Sequence, residues 1–132
     1  MAALSFEDLE VFKRAYRLSI EIHLESLKFP KIEQRALGDQ VRRASKSIPA
    51  NIAEGYAKRK SAKEFRNYLT IAMGSASEMK VHLTIAEGLG YRDEHDGLTA
   101  EYDILGRQLN KLISSWKAGP PEIPNQQRTT NN

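Results

Sequence analysis

The stretch from Gln40 to Gly55, QVRRASKSIPANIAEG, most constrains the fold, because its side chains repeat with the period of a helix on two opposite faces. At 100° per residue, one face is apolar and the opposite face is basic. The apolar face holds Leu37, Val41, Ala44, Ile48, Ile52 and Tyr56, and the basic face holds Arg35, Arg42 and Lys46. This pattern predicts a helix with one side in a core and the other side in solvent.

Pro49 lies in the middle of this helical pattern. A proline inside a helix removes one backbone donor and crowds the carbonyl one turn earlier, at a cost of about 3 kcal/mol. The apolar phase nevertheless continues without a break from Val41 to Tyr56. We therefore expect one helix kinked at Pro49 rather than two helices.

Three further segments have helical periodicity, and no segment has the alternation of a strand. The four predicted helices cover residues 5–27, 33–56, 61–87 and 98–116. Ser5 and Ser61 are the expected N-caps of the first and third helices, because each has an acidic residue three positions later. Short connections predict an all-α, up-down-up-down four-helix bundle over residues 1–118. We expect the Pro- and Asn-rich residues 119–132 to be a disordered tail.

Two of the predicted helices carry more apolar surface than one neighbouring helix can cover. On the first helix, Val11 and Leu18 point roughly opposite to Tyr16 and Ile20. The third helix has apolar residues on a second side, and its small residues 72–76 would let another helix approach closely. A surface helix needs only one apolar stripe. The extra stripes predict another partner, either a neighbouring helix or another subunit.

Composition limits the class of protein. The 132 residues fit one domain, and the chain has 40% hydrophobic residues and no cysteine, which excludes disulfides and thiolate metal sites. No long apolar run and no secretory n- and h-region are present, so we expect a cytoplasmic protein without a membrane segment.

No pattern of residues indicates catalysis or a cofactor. The chain has no Gly-x-Ser-x-Gly motif, no Gly-rich phosphate loop and no Glu-x-x-His pair on any predicted helix. Residues 93–96, DEHD, contain hard oxygen and imidazole ligands but lack a recognised metal spacing, which favours a solvated loop. Asn51 and Glu54 are expected to be structural: Asn51 can bind backbone groups near Pro49, and Glu54 can pair with Lys58 one turn later. We expect no enzyme, no metal site and no cofactor.

The strongest functional feature is positive charge concentrated in the middle of the chain. Residues 35–66 contain nine Lys or Arg against three Asp or Glu, a net charge of +6, whereas the whole chain has +3. The nine candidate nucleic-acid-binding residues are Arg35, Arg42, Arg43, Lys46, Lys58, Arg59, Lys60, Lys63 and Arg66. Such a surface can contact phosphates, although a merely solvated face is the simpler alternative. No aromatic platform is interleaved with these cations, so we expect no base stacking and little sequence specificity.

With these motifs, the chain resembles a family of small four-helix bundles first known as proteins encoded by intervening sequences in bacterial 23S ribosomal RNA genes. The accessory variability determinant of diversity-generating retroelements is similar to that family. The resemblance covers roughly residues 5–92. It is carried by Phe6, Leu9, Phe12, Phe29, Pro30, Leu37, Gln40, Arg42, Arg43, Ala44, Ser47, Ile48, Asn51, Ile52, Ala53, Glu54, Gly55, Ser61, Glu64, Phe65, Leu69, Ala72, Gly74, Ser75 and Glu78.

The resemblance implies a closed homopentamer that binds nucleic acid or a reverse transcriptase through basic surfaces. From the residues and the resemblance together, the first hypothesis is a non-enzymatic homo-oligomer that binds RNA or DNA. The alternative is a protein-interaction scaffold that docks an acidic partner or a reverse transcriptase.

Overall fold

Four α-helices form the chain in the computed structural model, which describes residues 5–117 except for the side chain of Glu94. The helices are α1 (Glu10–Ser26), α2 (Leu37–Ala57), α3 (Ala62–Gly88) and α4 (Leu98–Ser115). Helices adjacent in sequence pack against each other, and the described residues contain no strand. The predicted all-α four-helix bundle is confirmed. Residues 1–4 and 118, and the predicted tail 119–132, lie outside the described residues.

The first helix begins later than its N-cap predicts. Ser5 does form a capping box with Asp8, but it caps a separate 3-10 turn, Phe6–Asp8. Leu9 then has extended dihedral angles (φ −74°, ψ 133°), so α1 starts at Glu10. The expected continuous helix from residue 5 is therefore wrong, because a capping box fits a 3-10 turn as well as an α-helix.

The second helix also begins later than expected, at Leu37 rather than near Glu33. A short 3-10 turn, Lys31–Glu33, precedes it. From Leu37 the helix runs through Pro49 to Ala57, so the prediction of one helix rather than two is confirmed. The predicted kink at Pro49 stays a prediction.

All four helices contribute one apolar face to a single core. Fully buried side chains include Leu18 of α1, Ile48 and Ile52 of α2, Phe65 of α3 and Tyr102 of α4. At one end of the bundle, Trp116 packs edge-on against Phe65, with ring centroids 4.5 Å apart. Burial of each large aliphatic or aromatic side chain contributes roughly 1.5–3 kcal/mol before entropy is counted.

Gly55 permits the close crossing of α2 and α3. A Cβ atom at this position would lie 2.5 Å from Cβ of Tyr68 and 3.0 Å from the Phe65 ring. No real side chain tolerates a contact of 2.5 Å, so a glycine is needed for this packing. The close contact positions Tyr68 beside the C-terminal end of α2, which is part of the candidate site.

Two helices expose a second apolar face. On α1, Tyr16, Ile20, Leu24 and Leu27 are 46–59% exposed, and we call these four residues the α1 stripe. On α3, Ile71, Val81, Ile85 and Leu89 are 45–57% exposed, and together with Gly74 they form the α3 stripe. The described part of the chain offers neither stripe a covering helix.

Candidate nucleic-acid interface

The structure divides the nine predicted cations between the two ends of α2. Arg35, Arg42, Arg43 and Lys46 lie around its start and form what we call the N-terminal cluster. Lys58, Arg59, Lys60, Lys63 and Arg66 surround the turn between α2 and α3 and form the turn cluster. Because Arg43 and Lys58 are fifteen residues apart on one helix, the clusters are separated by about 22 Å along its axis.

Arg42 is engaged by its own chain. Its guanidinium donates to Oγ of Ser26 at the end of α1 (2.7 Å) and to the Gln34 carbonyl in the connection (2.5 Å). It also contacts Asp39 at 3.1 Å, and its side chain is only 15% exposed. Gly38 makes room for it, because a Cβ atom there would lie 3.0 Å from Nη2 of Arg42. Arg42 therefore ties the corner between α1 and α2 and has few donors left for a ligand.

Arg43 and Lys46 remain accessible on the same turns of α2. Both side chains are exposed, and within residues 5–117 Arg43 has no hydrogen bond or ion pair. Arg43 lies between two open grooves, one with His82 and Glu78 of α3 and the other with His23 of α1. Lys46 Nζ is 2.8 Å from Nδ1 of His23. This arrangement places long, flexible cationic side chains next to imidazole groups, a combination suited to phosphate oxygens.

Sequence reasoning did not identify His23 and His82 as neighbours of these cations. His82 Nε2 contacts Glu78 at 2.9 Å, and its Nδ1 is buried without a protein partner among the described residues. The two histidines come from α1 and α3, so no spacing within α2 could have revealed them. Only the packing of three helices brings them to Arg43 and Lys46.

In the turn cluster, Lys60 and Lys63 are exposed and have no ion pair in the described part of the chain. Two of the arginines are used internally. Arg59 lies over the Tyr56 ring, 4.1 Å from its centroid, and donates to the Tyr56 carbonyl. Arg66 donates to the carbonyl of Trp116 at 2.8 Å, which fixes the end of α4. The accessible charge of this cluster therefore comes mainly from its lysines. Arg35, at the other end of α2, is also exposed.

Lys58 is part of a short hydrogen-bonded chain. Its Nζ donates to the Tyr68 hydroxyl (3.0 Å), and that hydroxyl donates to Glu54 (3.2 Å). The hydrogen bond with Tyr68 is the main reason why the pKa of Lys58 is raised above its ordinary value. The ammonium also lies 5.1 Å from the centroid of the Tyr68 ring. Sequence reasoning did not place an aromatic ring beside Lys58; α3 brings Tyr68 to it from ten residues away.

The two polar residues near Pro49 make local contacts. Asn51 Nδ2 donates to the Ser47 carbonyl at 2.8 Å. The carbonyl left without a helical donor is that of Ser45, because Pro49 has no backbone N–H, so Asn51 bonds to a different carbonyl. Glu54 accepts from Tyr68 and lies 3.9 Å from Lys58. Both contacts are within α2 or between α2 and α3.

A metal centre and a membrane-spanning helix are two further features that would indicate a function. The described side chains, which do not include that of Glu94, contain no group of three or more His, Asp or Glu arranged to hold a metal ion. None of the described helices is long and apolar enough to cross a membrane.

A four-helix bundle with accessible cations at both ends of its second helix defines a class of small, basic, all-helical proteins. Comparison with known families narrows this class. The chain belongs to the family of 23S rRNA-intervening sequence proteins, whose model matches residues 7–111. The match spans all four helices except the last residues of α4. No curated protein matches the chain by sequence.

Proposed function

We propose that the protein is a non-enzymatic, cytoplasmic homo-oligomer that binds RNA or DNA with little sequence specificity. The observation that carries the proposal is that accessible cations lie at both ends of α2, even when the arginines that are hydrogen-bonded within the chain are not counted. The ligand-facing residues are Arg35, Arg43, Lys46, Lys58, Lys60 and Lys63. Arg42, Arg59 and Arg66 support the surface by holding the helices that present it. A homopentamer is the assembly that the family resemblance implies.

Phosphate contact by flexible cations explains the expected lack of sequence specificity. Lysine and arginine heads that reach phosphate oxygens position a nucleic acid without reading its bases. Each neutralised phosphate releases a condensed counterion, so binding falls as salt rises. Tyr68 adds one partly exposed ring beside Lys58, which would favour contact with an unpaired base.

The first test is a titration of structured RNA and duplex DNA at several salt concentrations. We expect the double substitution Arg43→Gln/Lys46→Gln to weaken binding at low salt by roughly tenfold or more. On a duplex, it should reduce the slope of log K against log salt by about 0.9 for each phosphate that the variant no longer neutralises. Lys60→Gln/Lys63→Gln should have a similar effect.

The matched control is Arg107→Gln/Lys111→Gln, which removes the same charge from exposed positions on α4. If this control weakens binding as much as the α2 variants do, net charge and not the α2 surface governs binding. If the wild-type protein retains neither RNA nor DNA at low salt, the proposal fails. A protein partner recovered after nuclease treatment, such as an acidic protein or a reverse transcriptase, would favour the scaffold alternative instead.

A further inference from the structure

A contact between two nitrogen atoms links α1 to α2 beside the N-terminal cluster. Nζ of Lys46 lies 2.8 Å from Nδ1 of His23. A lysine ammonium has three donors and no acceptor, so Nδ1 is the acceptor in this hydrogen bond. A ring nitrogen of histidine accepts only when it carries no proton. The contact therefore holds the neutral form of His23, with the ring proton on Nε2.

Protonation of His23 is incompatible with this contact. Both ring nitrogens of an imidazolium are donors, and two donors do not bond to each other. Two positive charges at this separation also repel each other. A group with two acceptor oxygens, placed between the side chains, restores a hydrogen bond to each of them. The backbone phosphates of nucleic acids present such oxygens.

The surroundings of His23 supply positive charge and little negative charge. The groove that contains it is open to solvent and is lined by His23 from α1 and by Asp39, Arg42, Arg43 and Lys46 from α2. Asp39 is the one carboxylate in this lining, and it lies 3.1 Å from Arg42. Among the described side chains, no carboxylate lies within ion-pair distance of His23. An anion from outside the chain is therefore the group that would balance a charge on His23.

The other two histidines have acidic neighbours. On α3, Nε2 of His82 lies 2.9 Å from Glu78, so protonation of His82 forms an ion pair within one helix. This pair lines the neighbouring groove, on the other side of Arg43. His95 lies in the 3-10 turn Glu94–Asp96, between two acidic residues. Protonation of His23 differs, because it adds a charge that no described acid neutralises.

We propose that His23 is a phosphate-binding residue that acts in its protonated form, so that the N-terminal cluster takes up a proton when it binds nucleic acid. In the bound state, the imidazolium and Lys46 donate to different oxygens of one phosphate, and the exposed Arg43 is available to a neighbouring phosphate. The free state keeps the hydrogen bond between Lys46 and His23. This inference rests on the proposed nucleic-acid binding and adds one residue and one proton to it.

The proposal makes binding dependent on pH with a definite sign. Protonation favours binding, and by linkage binding favours protonation to the same extent. Affinity therefore rises as the pH falls through the range in which histidine changes charge. The turn cluster has no histidine, and its lysines stay charged throughout this range. The pH dependence thus belongs to the N-terminal cluster alone.

The test is calorimetric titration of the protein with a short DNA duplex at low salt, in buffers of different ionisation enthalpy. The heat of binding then reports how many protons are taken up. We expect uptake by the wild-type protein at about pH 7, and an affinity that rises roughly tenfold from about pH 8 to about pH 5.5, the effect of about one charge-assisted hydrogen bond. His23→Gln should take up almost no proton, and its affinity should change less than about twofold over this range.

Two matched substitutions and one direct measurement serve as controls. His82→Gln and His95→Gln each remove a different histidine and should keep the proton uptake and the pH dependence of the wild-type protein. Nuclear magnetic resonance of the imidazole rings follows protonation without any substitution. Addition of the duplex at about pH 7 should convert the His23 ring to its charged form.

The possible failures separate this inference from the proposed function. If His23→Gln keeps the wild-type pH dependence, His23 is not the source of the coupling and the inference is rejected, whereas nucleic-acid binding stands. Loss of the pH dependence in His82→Gln or His95→Gln assigns the proton to that residue and also rejects the inference. Binding by the wild-type protein without proton uptake has the same meaning. Absence of binding at every pH rejects both proposals.

Discussion

Two adjacent arginines on α2 make different contacts. Arg42 is held by Ser26, Gln34 and Asp39, and its head is largely buried. Arg43 is exposed and has no partner among the described residues. A 100° rotation between consecutive positions is enough to turn one guanidinium into the corner of α1 and α2 and the other toward solvent.

This difference predicts opposite effects on stability and binding. Arg42→Ala should lower the free energy of unfolding by about 3 kcal/mol, because several charge-assisted hydrogen bonds disappear and buried acceptors stay unpaired. Arg43→Ala should change it by less than about 0.5 kcal/mol, as is usual for an exposed side chain. Urea unfolding followed by circular dichroism measures both values.

Binding measurements complete the comparison. Arg43→Ala should weaken nucleic-acid binding without loss of stability. Equal losses of stability in both variants would contradict the structural role that we assign to Arg42.

At the residue scale, the sequence predicts which way a side chain points better than it predicts the groups that the side chain contacts. Periodicity correctly places Val41, Ile48 and Ile52 in the core. It also puts Arg42 on the face opposite the core, yet the connection before α2 folds back and covers its head through Gln34. Tyr68 reaches Lys58 for a related reason, since the turn after α2 reverses the chain. Contacts made across connections depend on the turn geometry, which no helical pattern encodes.

Among the helices, α1 and α4 form the least extensive of the four neighbouring contacts. Hydrogen bonds and ion pairs connect the two helices along this contact, which we call the α1–α4 seam. Glu101 of α4 accepts from both Arg14 and Arg17 of α1, and Arg14 also donates to Gln108 at 3.1 Å. Burial acts to raise the pKa of Glu101, but the hydrogen bonds from Arg17 and Arg14 outweigh it and lower the pKa below its ordinary value.

The lowered pKa makes the stability of this seam dependent on pH. A carboxylate with a depressed folded pKa contributes stability above its unfolded pKa of about 4.3, and the contribution is lost as the pH falls through the folded value. Glu101→Gln should therefore be less stable than wild type at pH 7, and the difference should shrink between about pH 5 and pH 3. Thermal unfolding across this range measures the difference.

The control for this prediction is Glu10→Gln, which removes a carboxylate whose side chain is 80% exposed and 3.7 Å from Lys13. Little change is expected at any pH, because exposed ion pairs contribute about 0–1 kcal/mol. A difference between Glu101→Gln and wild type that stays constant from pH 7 to pH 3 would show that Glu101 acts by packing alone.

Helix interiors were predictable, and helix ends were less so. The starts of α3 and α4 agree with the predictions: α3 begins at Ala62, directly after its N-cap Ser61, and α4 begins at Leu98. The starts of α1 and α2 do not, because a 3-10 turn precedes each of them, and Ser5 caps the first of these turns instead of α1. A 3-10 turn has nearly the same local residue preferences as a first helical turn, so composition alone does not distinguish the two.

For the whole molecule, the proposed assembly and the proposed binding surface act together. A homo-oligomer repeats the N-terminal cluster and the turn cluster in every copy. Several copies on one nucleic acid convert later contacts into intramolecular ones, and the overall affinity then exceeds that of one subunit.

Substitutions in the two exposed apolar stripes test this coupling. Ile20→Glu and Val81→Glu place a charge in the α1 stripe and the α3 stripe and leave every cation of the two clusters in place. They should nevertheless bind a long duplex at least tenfold more weakly than wild type and show a shallower salt dependence. Affinity for a short oligonucleotide that occupies one subunit should change little. Fluorescence anisotropy with both ligand lengths, with Ile104→Glu as the charge-matched control, measures the effect; unchanged affinity for the long duplex would mean that subunits bind independently.

The continuity of α2 through Pro49 also fixes a distance between the two clusters. Since one helix joins the two clusters, the number of residues in that helix sets the distance between them along its axis. A separation of about 22 Å corresponds to roughly six or seven base pairs along a duplex at 3.4 Å per step. Insertion or deletion of one helical turn in α2 would change that measure by about 5 Å and would shift the shortest duplex that reaches both clusters.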